Sequence, residues 1–384
     1  MYMSHADIVK LPLTCDSLIA YLLDESLLLY SKKTQNVYGF EKGDAALFLQ
    51  IDELVSSYDC AKIAEKFHDL DAALVKQMYD LAIGKETAAE IEYQADRKLG
   101  NYTKDSQSRV FYQIDNIVFA VHYPNDTFSK RLHPVFKYLY TEKPDNIAAK
   151  TMISVDFFKS GALWGIYWND TPVEMTMPEA RLATYLQEKM MTSAYQAQRY
   201  LIALHAGSVE KNGNVIIMPA VAESGKTTLT AALISHGCSL FSDEVTALDY
   251  EGSVHPLPFC MNIKEGSWKV LDPMYPHLVE RDTHNRFDGQ NIRFLAPQSM
   301  HIGRQKASHI IFPKYIPDAK TILTQISAKE ALFKIKEAGY QVQESMDENK
   351  FELILNHLVS LPKYTLVYSN LDEAIATIDR LLEV

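Results

Sequence analysis

The chain has 384 residues, more than one ordinary domain holds, and that length predicts two or three. Hydrophobic residues make up 47%, charged residues 23% and aromatic residues 11%, which is a globular composition and excludes long disordered tracts. A formal net charge of -11 excludes a general attraction for nucleic acid or for an anionic membrane surface.

The four cysteines (Cys15, Cys60, Cys238 and Cys260) are widely spaced, and none forms the C-x-x-C pair of a zinc ribbon or a redox motif. Reduced thiols in a cytoplasmic protein are therefore expected. The amino-terminal stretch lacks a basic segment leading into an apolar core, so no signal peptide is expected. No window carries the run of about 18 apolar residues that a membrane-spanning helix requires.

Residues 1–99 are expected to form a small winged-helix-like module. Residues 27–30 and 36–40 are strand candidates around the polar turn of residues 31–34. Three helical stretches follow. Residues 43–55 offer Asp44 as a cap, residues 59–67 are short, and residues 71–83 put Leu74, Met78 and Leu81 on one face. The runs Leu27-Leu28-Leu29-Tyr30 and Asn36-Val37-Tyr38-Gly39-Phe40, followed by these helices, resemble the small peptide chaperone of pyrroloquinoline quinone biosynthesis (PqqD-like). That resemblance implies a leader-peptide partner bound as an added strand at a sheet edge. A plain structural winged helix fits the same pattern. DNA binding ranks low, because Lys62 and Lys66 are offset by Asp59 and Glu65 in the short helix.

The polar residues 100–107 suit a linker. Residues 108–200 are expected to form a small α+β domain. It has strands at 109–113 and 117–122 around an Asp115-Asn116 turn, a helix near 133–140, strands at 151–157 and 163–168, and a long helix from Glu179 to about Tyr200. No chemistry is legible in this stretch.

From Asn214 the pattern changes. Val215-Ile216-Ile217-Met218 is a continuous apolar run, as expected of a strand buried on both faces. A loop follows and ends in Ser224-Gly225-Lys226-Thr227-Thr228. Residues 229–236 are predicted helical, with Gly237 as the stop. Strand, loop, Gly-Lys-Thr and helix are the context of a phosphate-binding loop. Backbone N–H groups converge at the helix start, where the dipole favours an anion. Lys226 would reach the outer phosphates of ATP, and the Thr227 hydroxyl would sit on Mg2+.

A second apolar run, Cys238-Ser239-Leu240-Phe241, ends in Ser242-Asp243-Glu244. Of two adjacent carboxylates, one can hold the metal while the other takes a proton from an attacking hydroxyl. Two acids in a turn before a strand at 245–248 is the plainer alternative. The loop departs from G-x-x-x-x-G-K-[ST] at its first position, where Ala220 stands, and Glu223 brings a negative charge towards the phosphates.

The order Leu204-His205-Ala206-Gly207-Ser208-Val209, Gly213, Ser224-Gly225-Lys226-Thr227-Thr228-Leu229, Gly237 and Asp243-Glu244 resembles bacterial HPr kinase/phosphorylase and its relatives. Phosphoenolpyruvate carboxykinases share a similar order of His, phosphate loop and paired acids. Further on, Pro256-Leu257-Pro258, Ile263-Lys264-Glu265-Gly266-Ser267, Ile310-Ile311-Phe312-Pro313-Lys314-Tyr315 and a helix at 328–335 extend the likeness over residues 201–384.

The expected fold is therefore α/β, α+β overall, ending in an HPr-kinase-like P-loop domain. By the same resemblance Asp243 is the acid/base, Glu244 a metal partner, and His205 a neighbour of the phosphates. In the related kinases a base near the Pro-Leu-Pro segment contacts phosphate, and Lys264 is the closest one here. Arg281, Arg286, Arg293 or Arg304 would assist transfer. The implied activity is ATP-dependent phosphorylation of a peptide or protein hydroxyl, Ser above all, with ATP and Mg2+ as cofactors and a homo-oligomer as a further expectation. The alternative is a catalytically weakened kinase-fold scaffold that binds a peptide or senses nucleotide, and a small-molecule acceptor is a variant of the kinase.

Overall fold

The computed structural model describes residues 8–23, 26–68, 70–85, 108–142, 151–173 and 175–383. The expected linker at 100–107 lies outside them. The described residues form a mixed α/β protein with sheets of four, six, nine and three strands. Among them no helix is long and apolar enough to cross a membrane.

Two compact units divide the chain, and neither is continuous. The first comprises Met1–Gln94, Gln325–Lys336 and Val342–Lys363. Its sheet is antiparallel and in chain order: Val9–Leu11, Leu18–Leu23, Ser26–Ser31 and Val37–Phe40. The last two strands are the predicted hairpin. The first two escape sequence reading for a physical reason. Val9–Leu11 is short and largely exposed, and Leu18–Leu23 is an unbroken apolar run without strand periodicity.

The helices Lys42–Leu54, Cys60–Lys66 and Ala72–Ala82 fall where expected. Asp59 and Asp71 cap the second and third by accepting from Lys62 N and Ala73 N, each at 2.9 Å. The expected cap Asp44 instead lies in the first turn of its helix, and the capping position falls to Glu41, which makes no side-chain bond there. On the third helix the buried face is Val75, Met78, Leu81 and Ala82, with Leu74 half-buried at its margin.

This unit takes in two later segments. Phe351 of the helix Glu348–Ser360 stacks on Tyr30, with ring centroids 4.8 Å apart. Phe333 covers Gly39 so closely that a Cβ there would lie 2.5 Å from its ring. Lys336 Nζ donates to Val37 O at 2.9 Å. The stretch at 328–335, grouped by sequence with the carboxy-terminal domain, therefore belongs to the amino-terminal unit.

The second unit comprises Ala95–Thr324, Glu337–Gln341 and Tyr364–Val384. Its six-stranded sheet runs Thr171–Pro172, Leu163–Trp168, Thr151–Ser160, Ile117–Tyr123, Ser108–Ile114, Tyr140–Thr141. The first hairpin closes at Asp115, which takes φ 51. The helix expected at 133–140 begins earlier, as Asp126–Phe136, because Asn125 caps it by accepting from Phe128 N at 2.9 Å; after Phe136 the chain tightens into a 3-10 turn. The long helix is Glu179–Gln196.

Sequence placed a boundary near residue 200, but no break in packing occurs there. One buried cluster joins Phe119, Val155 and Leu186 to Ala247, Leu257 and Phe294. Fully burying such side chains stabilises by about 1.5–3 kcal/mol each, so residues on both sides of the expected boundary share one core.

In the nine-stranded sheet, Asn214–Pro219 pairs antiparallel with Ile202–Lys211 and parallel with Gln305–Tyr315. Its residues from Val215 onward are buried, as the apolar run predicts. This strand and its two neighbours carry the site.

Candidate functional site

The strand Asn214–Pro219 delivers the chain to a turn at 221–225 and then to the helix Lys226–Ser235. Two residues of the turn have positive φ: Glu223 at 65° and Gly225 at 85°. Ala220, which replaces the first glycine of the usual pattern, is not among them, so glycine's freedom is not needed at that position. Glu223 carries the strain instead, and its side chain stands exposed at the rim. Gly225 is required twice over. Its φ favours glycine, and a Cβ would lie 2.4 Å from Tyr368 Oη and 3.0 Å from Tyr315 Cβ. Both tyrosines also bind the turn: Tyr315 N donates to Ser224 O at 2.9 Å, and Tyr368 Oη donates to Gly225 O at 3.1 Å.

Lys226 opens the helix and is 6% exposed; its ammonium donates to the backbone carbonyl of Asp243. Lys226 and the backbone of the Asp243-Glu244 segment are therefore in contact. Ser224 Oγ is buried without a hydrogen-bond partner among the described residues, an unsatisfied group in the turn. Thr228 Oγ1 and Ser267 Oγ are 2.6 Å apart, tying the helix start to the segment after Lys264.

Turn, helix start, Glu244, Lys264 and Arg286 line a cleft of about 730 Å3, within the range of pockets that hold nucleotide-sized ligands. A second cleft of about 690 Å3 adjoins it, and His205, Glu244, Asn262, Arg286 and Asp288 line both. Asp243 lines neither.

The two acids sit in different environments. Asp243 is 3% exposed, and the nearby Thr227 and Thr230 side chains favour its ionised form. Burial pushes its carboxyl above the usual range, and the Lys226 ammonium offsets this only in part. Glu244 is also burdened by burial, but Lys226, Arg286 and His205 outweigh that cost and hold it below the usual carboxylate range. Arg286 Nη1 lies 3.5 Å from Glu244 Oε1, and His205 Nε2 lies 3.9 Å from Glu244 Oε2. Burial and the nearby Lys226 push the His205 imidazole below its ordinary value.

The structure thus brings Ser224, Gly225, Lys226, Thr227, Thr228, Glu244, Lys264 and His205 around one cleft, with Asp243 behind Lys226. Of the four candidate arginines only Arg286 is there. Arg281 donates to Phe294 O at 3.1 Å, Arg293 lies 3.9 Å over the Trp268 ring, and Arg304 pairs with Asp249 at 3.3 Å. The residues that sequence missed are Tyr315, Tyr368 and Asn262. Tyr315 ends the Ile310–Tyr315 run that carried the family likeness, and nothing near Tyr368 or Asn262 in sequence marks either.

A donor set of one hydroxyl and a carboxylate, Thr227 and Glu244, suits magnesium, which takes its remaining ligands from phosphate and water. Among the described residues no three His, Cys, Asp or Glu side chains gather to hold a metal by themselves. No protein-family model matches the chain, and no curated protein matches it.

Proposed function

We propose that the chain is an ATP-dependent phosphotransferase with an HPr-kinase-like P-loop domain, and that it acts on a hydroxyl, Ser above all, of a peptide or protein. The observation that carries this reading is the approach of Lys226, at the first turn of a helix entered through left-handed Gly225, to the Asp243-Glu244 pair. The unsatisfied Ser224 hydroxyl and the lysine line one cleft, as an anion site at a helix start requires.

In the proposed reaction the acceptor oxygen attacks the γ-phosphorus. A P–O bond forms to it while the bond to the β,γ-bridging oxygen breaks, ADP leaves, and the hydroxyl proton passes to a carboxylate. Environments that push two carboxyls apart assign their roles. Asp243, raised by burial, takes the proton; Glu244, lowered, stays ionised. Thr227 and Glu244 would hold magnesium, which when bound neutralises phosphate charge. Lys226 would turn from the Asp243 carbonyl to the outer phosphates. Arg286 balances charge that develops on the transferred group.

The first unit is proposed as the recognition module for a leader peptide, added at the edge of its four-stranded sheet beside Val9–Leu11. Tethering would raise the local substrate concentration.

Purified protein is mixed with MgATP and candidate Ser-containing peptides. The expected result is a nucleotide-dependent rise in melting temperature and a peptide mass gain of one phosphate, both lost in Lys226→Ala. Absence of the thermal shift rejects the reading. A shift without transfer favours the second reading, a nucleotide-sensing scaffold, for which the buried Asp243 carboxylate and the strained Glu223 speak.

A further inference from the structure

The second cleft does not include the turn at 221–225 or the start of the following helix, yet it meets the first at His205, Glu244 and Arg286. One wall is a single stripe of the helix Glu179–Gln196: Thr184, Gln187 and Glu188, Met191 and Thr192, Tyr195. These recur every three or four residues over three turns; Leu182, Leu186 and Met190 face the core, and Met191 and Tyr195 also reach it. The stripe is about 16 Å long at 1.5 Å per residue, the span of roughly five residues of extended chain. Tyr340 and Gln341 form the far side, joined to the helix by Tyr195 Oη donating to Gln341 Oε1 at 2.8 Å. Tyr185 and Phe287 meet edge to face at 5.9 Å beside the junction.

Gln187 lies in this wall and is 2% exposed. Its amide N donates to Cys260 O at 2.9 Å and contacts Asn262 Oδ1 at 3.3 Å, which fixes the orientation and leaves Oε1 without a partner among the described residues. A buried amide oxygen in that state calls for an N–H or O–H donor. The charged lining is Glu188, Glu244 and Asp288 against Arg286, which already pairs with the last two.

From this geometry we infer that the second cleft is the acceptor groove: it holds an extended peptide whose hydroxyl residue lies at the His205–Glu244 junction and whose neighbours are aromatic or long apolar side chains rather than acidic ones. The linear helical wall selects a strand of peptide, the Tyr185, Phe287, Tyr340 and Met191 side chains select its flanks, and Glu188, which has no ion pair among the described residues, repels acids. The inference rests on the phosphotransfer reading above.

A library of seven-residue peptides with a central Ser and varied flanks, incubated with MgATP and the full chain, tests it. Peptides with aromatic, Leu or Met flanks should take up phosphate preferentially, and those with Asp or Glu flanks should be depleted. Tyr185→Ala and Phe287→Ala should each raise KM for the preferred peptide about tenfold, the equivalent of one lost anchor, and leave KM for MgATP unchanged. Phosphate uptake with no flank preference, or an equal rise in both KM values, overturns the groove. If MgATP produces no thermal shift, the phosphotransfer reading falls instead. The same peptides carrying fluorescein then decide the groove by polarisation: binding weakened in Tyr185→Ala supports it, and no binding overturns it.

Discussion

Arg286 bridges two acids, with Nη1 3.5 Å from Glu244 Oε1 and Nε 3.3 Å from Asp288 Oδ2. It also stands where the two clefts meet, so under the proposed reaction the guanidinium beside Glu244 would face the transferring phosphoryl group. Arg286→Ala should lower phosphate transfer on the order of 100-fold, the usual cost of losing one preorganised donor, with nucleotide binding largely kept. Arg286→Lys should recover little, because a point charge cannot reach both acids at once. Steady-state kinetics on the variants decides this; an Ala variant at wild-type rate removes Arg286 from the mechanism.

Asp243 gives a pH dependence whose sign can be worked out. Burial raises its folded-state carboxyl above the unfolded value. Such a group contributes stability below the unfolded pKa of about 3.9 and loses it as pH rises through the folded value. Asp243→Asn removes that titration. The variant should therefore melt above wild type at pH 7, with the difference closing towards pH 4, while nucleotide binding persists and transfer is lost. A variant that melts lower than wild type at pH 8 would contradict the assignment.

Gly225→Ala meets both a left-handed backbone and the Tyr368 hydroxyl 2.4 Å from the new Cβ. The φ strain alone costs on the order of 1–3 kcal/mol, and relief of the clash must also break the Tyr368 bond to Gly225 O. A lower denaturation midpoint and a weakened MgATP thermal shift are expected together. Tyr368→Phe removes only the hydrogen bond and should cost about 1 kcal/mol. An unchanged midpoint in Gly225→Ala would show that the turn opens without cost.

Phe351→Ala should destabilise the first unit by about 3–5 kcal/mol, since Phe351 is 1% exposed and stacks on Tyr30. Hydrogen exchange would locate the effect: faster exchange in Ser26–Ser31 is expected. Loss confined to residues near 351 would show that the later helix is only an accessory.

Sequence carried the strand, turn and helix around Gly225 well because their signals are local. Gly225, Lys226 and the apolar strand before them are contiguous, and Asp243-Glu244 ends the next apolar run. It could not rank Arg281, Arg286, Arg293 and Arg304, because what separates them is a partner well away in the chain: a carbonyl at 294, a carboxylate at 244, an indole at 268, a carboxylate at 249. The same limit hid Tyr368, which reaches Gly225 from 143 residues away. The expected boundary near residue 200 failed for a related reason. Periodicity reports which face of a helix is buried, as at Leu182 and Leu186, but not that Leu257 and Phe294 bury it. Nor did sequence show that Glu223 takes a positive φ and stands exposed at the edge of the cleft.

The discontinuous first unit imposes an order on biosynthesis. During translation the four-stranded sheet leaves the ribosome hundreds of residues before Phe351 has been made. Until then the Tyr30 ring, fully buried in the finished protein, lacks its stacking partner. Nascent chains thus present a sticky aromatic face for most of their synthesis, a natural substrate for holdase chaperones. A chain that stops before residue 342 would never acquire that stacking partner.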